Sequence, residues 1–233
     1  MDDLTTITSL KNPEWHRIER QHVFRPDYLE PLLHPLGLRQ DAVFVDVGCG
    51  GGAINAFVAA RNSTRLNLGL DLEPETVLLA RELNPNAPSV HWFCASAESI
   101  PLETESVDTL VCRGVVPLAN VRDVLGEIAR VLRPGGRAVL LLHSWSFYLK
   151  WFSLNPRKWK QSLAGLIHFV LGSWFNLTGR QVTLQIGNHR IGQTYQTVYR
   201  TRRILSDFGV SLYQVVKQPE FLAYVVKDGA RAS

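Results

Sequence analysis

Blocks of apolar sequence alternate with amphipathic blocks through most of the chain. Residues 42–47 form an apolar run broken only by Asp46, and their length and β-branched content predict a strand buried on both faces. Further runs of this kind follow, most of them separated by segments with helical spacing, at residues 65–72, 89–96, 107–114 and 136–144. Strands that alternate with helices predict right-handed crossovers and an α/β fold with a doubly wound, Rossmann-like, mostly parallel sheet.

The same pattern predicts four parts along the chain. A helical segment broken by Pro26, Pro31 and Pro35 comes first, and an α/β core follows, in which the last helix is expected to stop at the Pro-Gly-Gly of residues 134–136. A helical cap is inserted after the fifth strand. The last part supplies a helix at residues 203–209 and two strands with a turn at Gln218-Pro219, which complete a seven-stranded sheet. The predicted boundaries are residues 1–40, 41–144, 145–200 and 201–233.

Charge divides the chain near residue 144. Residues 1–144 carry 13 Lys and Arg against 18 Asp and Glu, whereas residues 145–206 carry nine Lys and Arg and no acid. Four of the six tryptophans also fall in this basic segment, at Trp145, Trp151, Trp159 and Trp174. The cap therefore differs in chemistry from the core that precedes it.

Several classes of protein do not fit this composition. The first 21 residues lack the apolar core of a secretory signal, and the apolar stretch at residues 163–175 is shorter than a spanning helix and contains a histidine. The three cysteines, Cys49, Cys94 and Cys112, form no C-x-x-C pair, which disfavours a disulfide framework or a zinc site, and we predict no metal. We expect a soluble, cytoplasmic protein.

A glycine-rich turn follows the first predicted strand. Gly48 and Gly50 allow a sharp turn and a close approach of the backbone to a ligand, as in nucleotide sites at the carboxyl ends of parallel strands. The spacing also satisfies the dinucleotide fingerprint, with Asp71 placed 23 residues after Gly48. A pyrophosphate gains nothing from the added negative charge of Asp46. A ligand with a cationic amino-acid end would be attracted by that charge.

Three stretches together resemble a known family. Residues 45–52 (VDVGCGGG), 69–81 (GLDLEPETVLLAR) and 95–143 look like a class I S-adenosylmethionine (SAM)-dependent methyltransferase of the small-molecule and ubiquinone/menaquinone group. The resemblance covers about residues 40 to 143 and, weakly, the C-terminal strands. It implies SAM as the cofactor and S-adenosylhomocysteine as its product.

The resemblance also implies roles for individual residues. The family motif places the amino-acid and sulfonium end of SAM on the turn that begins at Asp46, and the ribose hydroxyls on Asp71. Leu72 would then contact the adenine, whose edge is read near Ala97 and Glu98. The cofactor-binding residues implied in this way are Asp46, Gly48, Cys49, Gly50, Gly52, Asp71, Leu72, Ala97, Glu98 and Arg113.

The chain departs from the family at two positions. Ser96 occupies a position where members of the family often have an aspartate. The contact to the adenine amino group would then come from Glu98 or from the backbone. Arg113-Gly-Val-Val-Pro-Leu-Ala replaces a histidine-rich stretch, so no catalytic base carries over from that position. His143 at the end of the fifth strand is the first candidate base, followed by His189 and Tyr195, and a structural role is the alternative for each.

The identity of the methyl acceptor is expected to depend on the basic cap of residues 145–200. A tryptophan- and phenylalanine-rich cap would suit a small hydrophobic or aromatic acceptor, with cations for an anionic group on it or for anionic lipid heads at a membrane surface. Methylation of O, N or C by in-line transfer is expected. RNA methylation is an alternative, disfavoured because no RNA-binding module is recognisable. A SAM-binding protein with different chemistry is a further alternative, and the oligomeric state is open.

Overall fold

The computed structural model describes residues 14, 16–18, 21, 25–61, 64–149, 159–186, 189–217 and 221–229. Two sheets are present in this part of the chain, one of seven strands and one of two. The helices are α1 Pro26–Leu33, α2 Ala53–Arg61, α3 Pro74–Leu83, α4 Val121–Val131, α5 Trp145–Leu149, α6 Trp159–Thr178 and α7 Val198–Asp207. The strands are β1 Val43–Val47, β2 Leu66–Asp71, β3 Val90–Cys94, β4 Val107–Arg113, β5 Leu132–Leu142, β6 Leu184–Ile186, β7 His189–Ile191, β8 Val210–Val216 and β9 Phe221–Lys227.

The large sheet has the strand order β3-β2-β1-β4-β5-β9-β8. The first five strands pair in parallel, and β9 pairs antiparallel with both β5 and β8. The predicted seven-stranded, mostly parallel sheet is confirmed. Helices α5 and α6 follow β5, where the helical insertion was expected, and β6 and β7 form a separate hairpin beyond them.

Both faces of the sheet are covered. Along β1, Val43, Val45 and Val47 belong to a core shared with α4 and α7, whereas Phe44 belongs to a second core shared with α1 and α2. This division explains why the strand is apolar at successive positions rather than at alternate ones. Tyr224 of β9 lies in the second core, and its hydroxyl donates to the carbonyl of Leu32 at 3.2 Å.

Three predicted boundaries need correction. Pro26 begins α1, whereas Pro31 lies inside the helix and does not break it. Because α1 ends at Leu33, Pro31 removes only one backbone hydrogen bond from it. Helix α4 ends at Val131, before the Pro-Gly-Gly, which lies within β5 where the pairing with β4 shifts register. Helix α7 begins at Val198 because the Thr197 side chain caps the amide of Arg200. The predicted turn at Gln218-Pro219 lies outside the described residues.

A buried pair of amide side chains joins α2 to β2. Asn55 and Asn67 are at most 1% exposed, and the Asn55 Nδ2 donates to Asn67 Oδ1 at 2.8 Å and to the Leu68 carbonyl at 3.0 Å. The Asn67 Nδ2 donates in return to the Asn55 carbonyl at 3.0 Å. These reciprocal bonds orient the helix that follows the glycine turn against the neighbouring strand.

We expect Asn67→Ala to lower the free energy of unfolding by about 1–3 kcal/mol, because it removes two hydrogen bonds between buried amide groups and leaves Asn55 Nδ2 with only the Leu68 carbonyl. Urea unfolding measures the change. The exposed Asn86→Ala is the matched control and should change stability by less than about 0.5 kcal/mol. Equal effects of the two substitutions would contradict a structural role for the pair.

Candidate functional site

The strand order reverses direction between β1 and β4, and their carboxyl ends open a crevice there. This is where ligands bind in doubly wound sheets. The glycine turn of residues 48–52 follows β1 at this edge, and the segments after β2, β3, β4 and β5 reach the same edge because all five strands are parallel.

The glycine turn is shaped by close contacts. Gly48 has φ +76°, and a Cβ placed there would lie 2.1 Å from Cγ2 of Val115. Gly52 has φ +72°, and its Cβ would lie 2.4 Å from the Trp92 ring and 2.7 Å from the Asn84 side-chain nitrogen. Only glycine fits both the left-handed backbone and the space at these two positions.

Backbone hydrogen bonds tie the turn to β2. The amides of Gly48 and Cys49 both donate to the carbonyl of Leu70, at 2.7 and 2.9 Å. The amide of Gly50 donates to Asp71 Oδ2 at 3.0 Å. The glycine turn and the carboxylate at the end of β2 are therefore one hydrogen-bonded unit.

Asp71 is held in a defined orientation. Besides the bond from Gly50, its Oδ1 accepts from the amide of Glu73 at 3.2 Å. Burial raises the pKa of the Asp71 carboxyl, and the two amides and the nearby His16 partly offset that effect. A carboxylate oxygen has two lone pairs, so each oxygen can still accept a hydroxyl of a ligand.

Leu72 lies next to this carboxylate and is 62% exposed. An apolar side chain beside a fixed carboxylate, at the mouth of a glycine-lined turn, is suited to a ligand with a flat apolar ring and a neighbouring diol. SAM carries both groups, as its adenine and its ribose. The arrangement of Gly50, Asp71 and Leu72 therefore fits this cofactor.

Asp46 is almost completely buried, at 1% exposure. It lies in register with Gly69 of β2 and Val111 of β4. Burial, followed by the charge of Asp46, raises the pKa of the Cys49 thiol and raises that of Cys112 to about 12. Both thiols are thus uncharged, and Cys49 contributes to the turn through its backbone.

Ala97 and Glu98 occupy a tight turn after β3. Ser96 and Ser99 form an isolated bridge, and the Ser96 hydroxyl accepts from the Glu98 amide at 3.1 Å. Glu98 Oε1 accepts from the amide of Asn120, which caps α4, at 2.7 Å. One oxygen of Glu98 is therefore used to hold the turn against α4, and contact with the adenine remains a prediction.

Arg113, at the end of β4, contacts α1. Its Nε donates to the hydroxyl of Tyr28 at 3.3 Å, and its guanidinium carbon lies 5.9 Å from the centre of the Tyr28 ring. This bond fixes Arg113 at the edge of the sheet that carries the glycine turn. A contact between Arg113 and the cofactor remains a prediction.

His143 follows β5 and packs in an aromatic cluster. Its ring stacks on Phe147 with centroids 3.9 Å apart, and its Nδ1 lies 3.3 Å from the hydroxyl of Tyr148. Tyr148 is 1% exposed and packs in turn against His168. Burial lowers the pKa of His143 to about 4 and raises that of Tyr148, so the imidazole is neutral near pH 7 and is a weaker base than a solvated histidine.

The two other candidate bases lie in the cap. The Tyr195 hydroxyl is 2.9 Å from the Ser173 hydroxyl, and the Tyr195 ring packs against Gly172 of α6, with the whole residue 8% exposed. These contacts favour a packing role for Tyr195. His189 begins β7, and its side chain lies outside the described residues.

Several residues that shape the site were missed from the sequence. Trp92, Asn84 and Val115 set the position of the glycine turn, and Asn84 Nδ2 also donates to the carbonyl of Gly51 at 3.0 Å. His16 is buried near Asp71, with its Nε2 3.4 Å from the Thr76 hydroxyl. None of them belongs to the glycine motif, and only Trp92, a lone tryptophan on a predicted strand, stood out in the sequence.

The comparisons with known proteins identify the class of domain. A family model described as a methyltransferase domain matches residues 45–140. A SAM-dependent methyltransferase from Aquifex aeolicus shares the fold, with a TM-score of 0.59 and 16% identity over 93% of this chain and 98% of that one. Residues 45–140 therefore match a methyltransferase domain, as the family resemblance predicted, and the solved structure shares the fold of the chain.

Two relatives show how far this similarity extends. A malonyl-[acyl-carrier protein] O-methyltransferase from Marinomonas sp. is 29% identical over 69% of this chain and 62% of its own length. A ubiquinone/menaquinone biosynthesis C-methyltransferase from Rubrivivax gelatinosus is 31% identical over 56% and 48%. The chain thus spans less than two thirds of either relative.

We expect Gly48→Ala to lower the free energy of unfolding by about 2–5 kcal/mol, because it adds left-handed strain and forces Val115 to move. The control is Gly135→Ala. Gly135 has φ +77° with nothing within 4 Å of its added Cβ, so only the strain of about 1–2 kcal/mol applies. Urea unfolding of both variants measures the difference, and equal losses would show that close packing is unimportant.

His143 makes stability depend on pH. Its folded pKa of about 4 lies below the ordinary value of 6.5, so between these values the unfolded chain binds a proton that the folded one does not. Stability should therefore fall as pH decreases from about 6.5 to about 4. His143→Gln, which retains a hydrogen-bonding group for Tyr148, should flatten this part of the profile in urea unfolding. Parallel profiles for the two proteins would contradict the assignment.

Proposed function

We propose that the protein is a SAM-dependent methyltransferase that acts on a small acceptor with a hydrophobic or aromatic body. The main support is the position of Asp71 within residues 45–140, which match a methyltransferase domain. Asp71 accepts a hydrogen bond from the glycine turn and lies next to the exposed Leu72. When bound, SAM supplies a methyl group on a sulfonium that is open to in-line displacement by a nucleophile.

Each part of the crevice has a defined task in this proposal. The Asp71 carboxylate would accept the two ribose hydroxyls, since both of its oxygens are already oriented by backbone amides. Leu72 would cover one face of the adenine. The glycine turn would admit the amino-acid end of the cofactor close to the backbone, with Asp46 beneath it.

The acceptor would lie beyond β5, near the aromatic cluster. Phe147 stacks on His143 in this cluster, and Trp145 is 53% exposed beside it. The imidazole of His143 is neutral and would offer a hydrogen-bond acceptor to the reacting group, but its lowered pKa makes it a weak general base. The apolar rings would keep water away from the reacting atoms.

The names of the relatives support an acceptor of this kind. One acts on a malonyl group carried by a protein and the other belongs to ubiquinone and menaquinone biosynthesis. By name, the first relative methylates oxygen and the second methylates carbon. We therefore propose the small-molecule class of acceptor without choosing among O, N and C.

S-adenosylhomocysteine should raise the melting temperature by about 5–10 °C at a concentration 100-fold above its dissociation constant. NAD should cause no shift, and Asp71→Ala should abolish the shift with S-adenosylhomocysteine. Differential scanning fluorimetry measures both.

Asp108→Ala is the matched control, because Asp108 also accepts a backbone amide, that of Val43 at 2.8 Å, but lies at the opposite ends of the strands. This variant should melt earlier and keep its full shift with S-adenosylhomocysteine. A shift with NAD alone, or an unchanged shift in Asp71→Ala, would refute the proposed cofactor site.

A further inference from the structure

Helix α6 is apolar on two opposite faces. Its inner face packs on the protein through four residues at helical spacing, Gly165, His168, Gly172 and Phe175, all of them buried. Its outer face carries a second row at the same spacing, Leu163, Leu166, Val170, Trp174 and Leu177, which are 47%, 51%, 55%, 50% and 81% exposed. We call this second row the outer stripe.

The outer stripe is unusual for a face in contact with water. Residues 162–178 contain no Lys, Arg, Asp or Glu, and a helix that is apolar all round is normally buried. The stripe runs for about 21 Å along the helix at 1.5 Å per residue. A continuous exposed apolar row of this length marks an interaction surface.

The stripe sits on a firmly anchored helix. Asn176 Nδ2 donates to the Tyr195 carbonyl at 2.9 Å, and its Oδ1 accepts from the Thr197 hydroxyl at 2.8 Å. The guanidinium of Arg200 donates to the carbonyls of Asn176 and Leu177 at the end of the helix, at 2.6 and 2.8 Å. With its inner face buried and its end capped by an arginine, α6 cannot hide the stripe by rotating.

Charge indicates what covers this surface. Residues 145–206 contain nine Lys and Arg and no acid, and four of these cations precede the outer stripe in sequence, at residues 150–160. Arg180 follows α6, and Arg202 and Arg203 lie on α7, all three of them exposed. A partner that matches both features has a negatively charged surface and an apolar layer below that surface.

A second copy of the chain does not meet this requirement. A two-fold symmetric interface places the same patch on both sides, so cations would face cations with no acid in the segment to pair with them. An anionic bilayer does meet it, because acyl chains receive the apolar row and headgroups receive the cations. Trp145 and Trp174, both about half exposed, are of the residue type enriched at the boundary between headgroups and acyl chains.

We propose that the outer stripe of α6 docks on the surface of an anionic lipid bilayer, with the helix lying in the plane of the interface. Among the described residues no helix is long and apolar enough to cross a membrane. The docked helix therefore lies on one leaflet. This binding does not require SAM and stands independently of the proposed function.

Vesicle flotation with the full chain tests the proposal. The protein should float with vesicles of phosphatidylglycerol and phosphatidylcholine, and should float at least about tenfold less with phosphatidylcholine alone. The double substitution L166E/V170E should reduce flotation on anionic vesicles by at least about tenfold, because it places two carboxylates in the apolar row. Leu78→Glu is the matched control, since Leu78 is a leucine of α3 with 64% exposure, and it should float like the unmodified protein.

Thermal melting with and without S-adenosylhomocysteine separates this proposal from the proposed function. Both variants should retain the melting temperature and the ligand shift of the unmodified protein, since all three substituted side chains are exposed. No flotation on anionic vesicles, or equal flotation of L166E/V170E, would overturn the proposal. A dimer in light scattering that L166E/V170E converts to a monomer would overturn it as well, in favour of a second copy on the stripe.

Discussion

The arrangement of the site depends on how closely the chain after β1 approaches its neighbours. Gly48 is pressed against Val115 and Gly52 against Trp92, so neither position has room for a Cβ. This packing brings the Gly50 amide to the carboxylate of Asp71 and leaves Leu72 exposed beside it. The polar and apolar groups that suit SAM are therefore placed by the close packing of the glycine turn against its neighbours.

Burial sets the protonation of the groups around the crevice. It raises the thiol pKa of Cys49 and Cys112 and lowers the imidazole pKa of His143, so all three groups are neutral near pH 7. Burial also raises the carboxyl pKa of Asp71, and the hydrogen bonds from the amides of Glu73 and Gly50 partly offset this rise. The crevice thus combines the oriented Asp71 carboxylate with neutral thiols and a neutral imidazole, while residues 145–206 contain cations and no acid.

Regular repetition made much of the fold predictable. The first four parallel strands are short, largely apolar runs, and the position of Asp46 beside the glycines marked the cofactor turn. The contacts of Trp92, Asn84 and His16 could not be predicted, because they join positions that are distant in sequence and belong to no motif. The start of β5 was missed because a register shift within the sheet, not a local signal, accommodates its Pro-Gly-Gly. The exposure of the α6 stripe likewise required knowing which face packs on the core.

The position of β9 has a consequence for synthesis of the protein. This strand lies between β5 and β8, and its Tyr224 bonds to Leu32 of α1, 192 residues earlier in the sequence. Until residues 221–227 leave the ribosome, the long apolar strand β5 has an open edge that can pair with other chains. Edge-to-edge association is therefore possible from the time β5 emerges until β9 emerges, and the seven-stranded sheet cannot be completed before then.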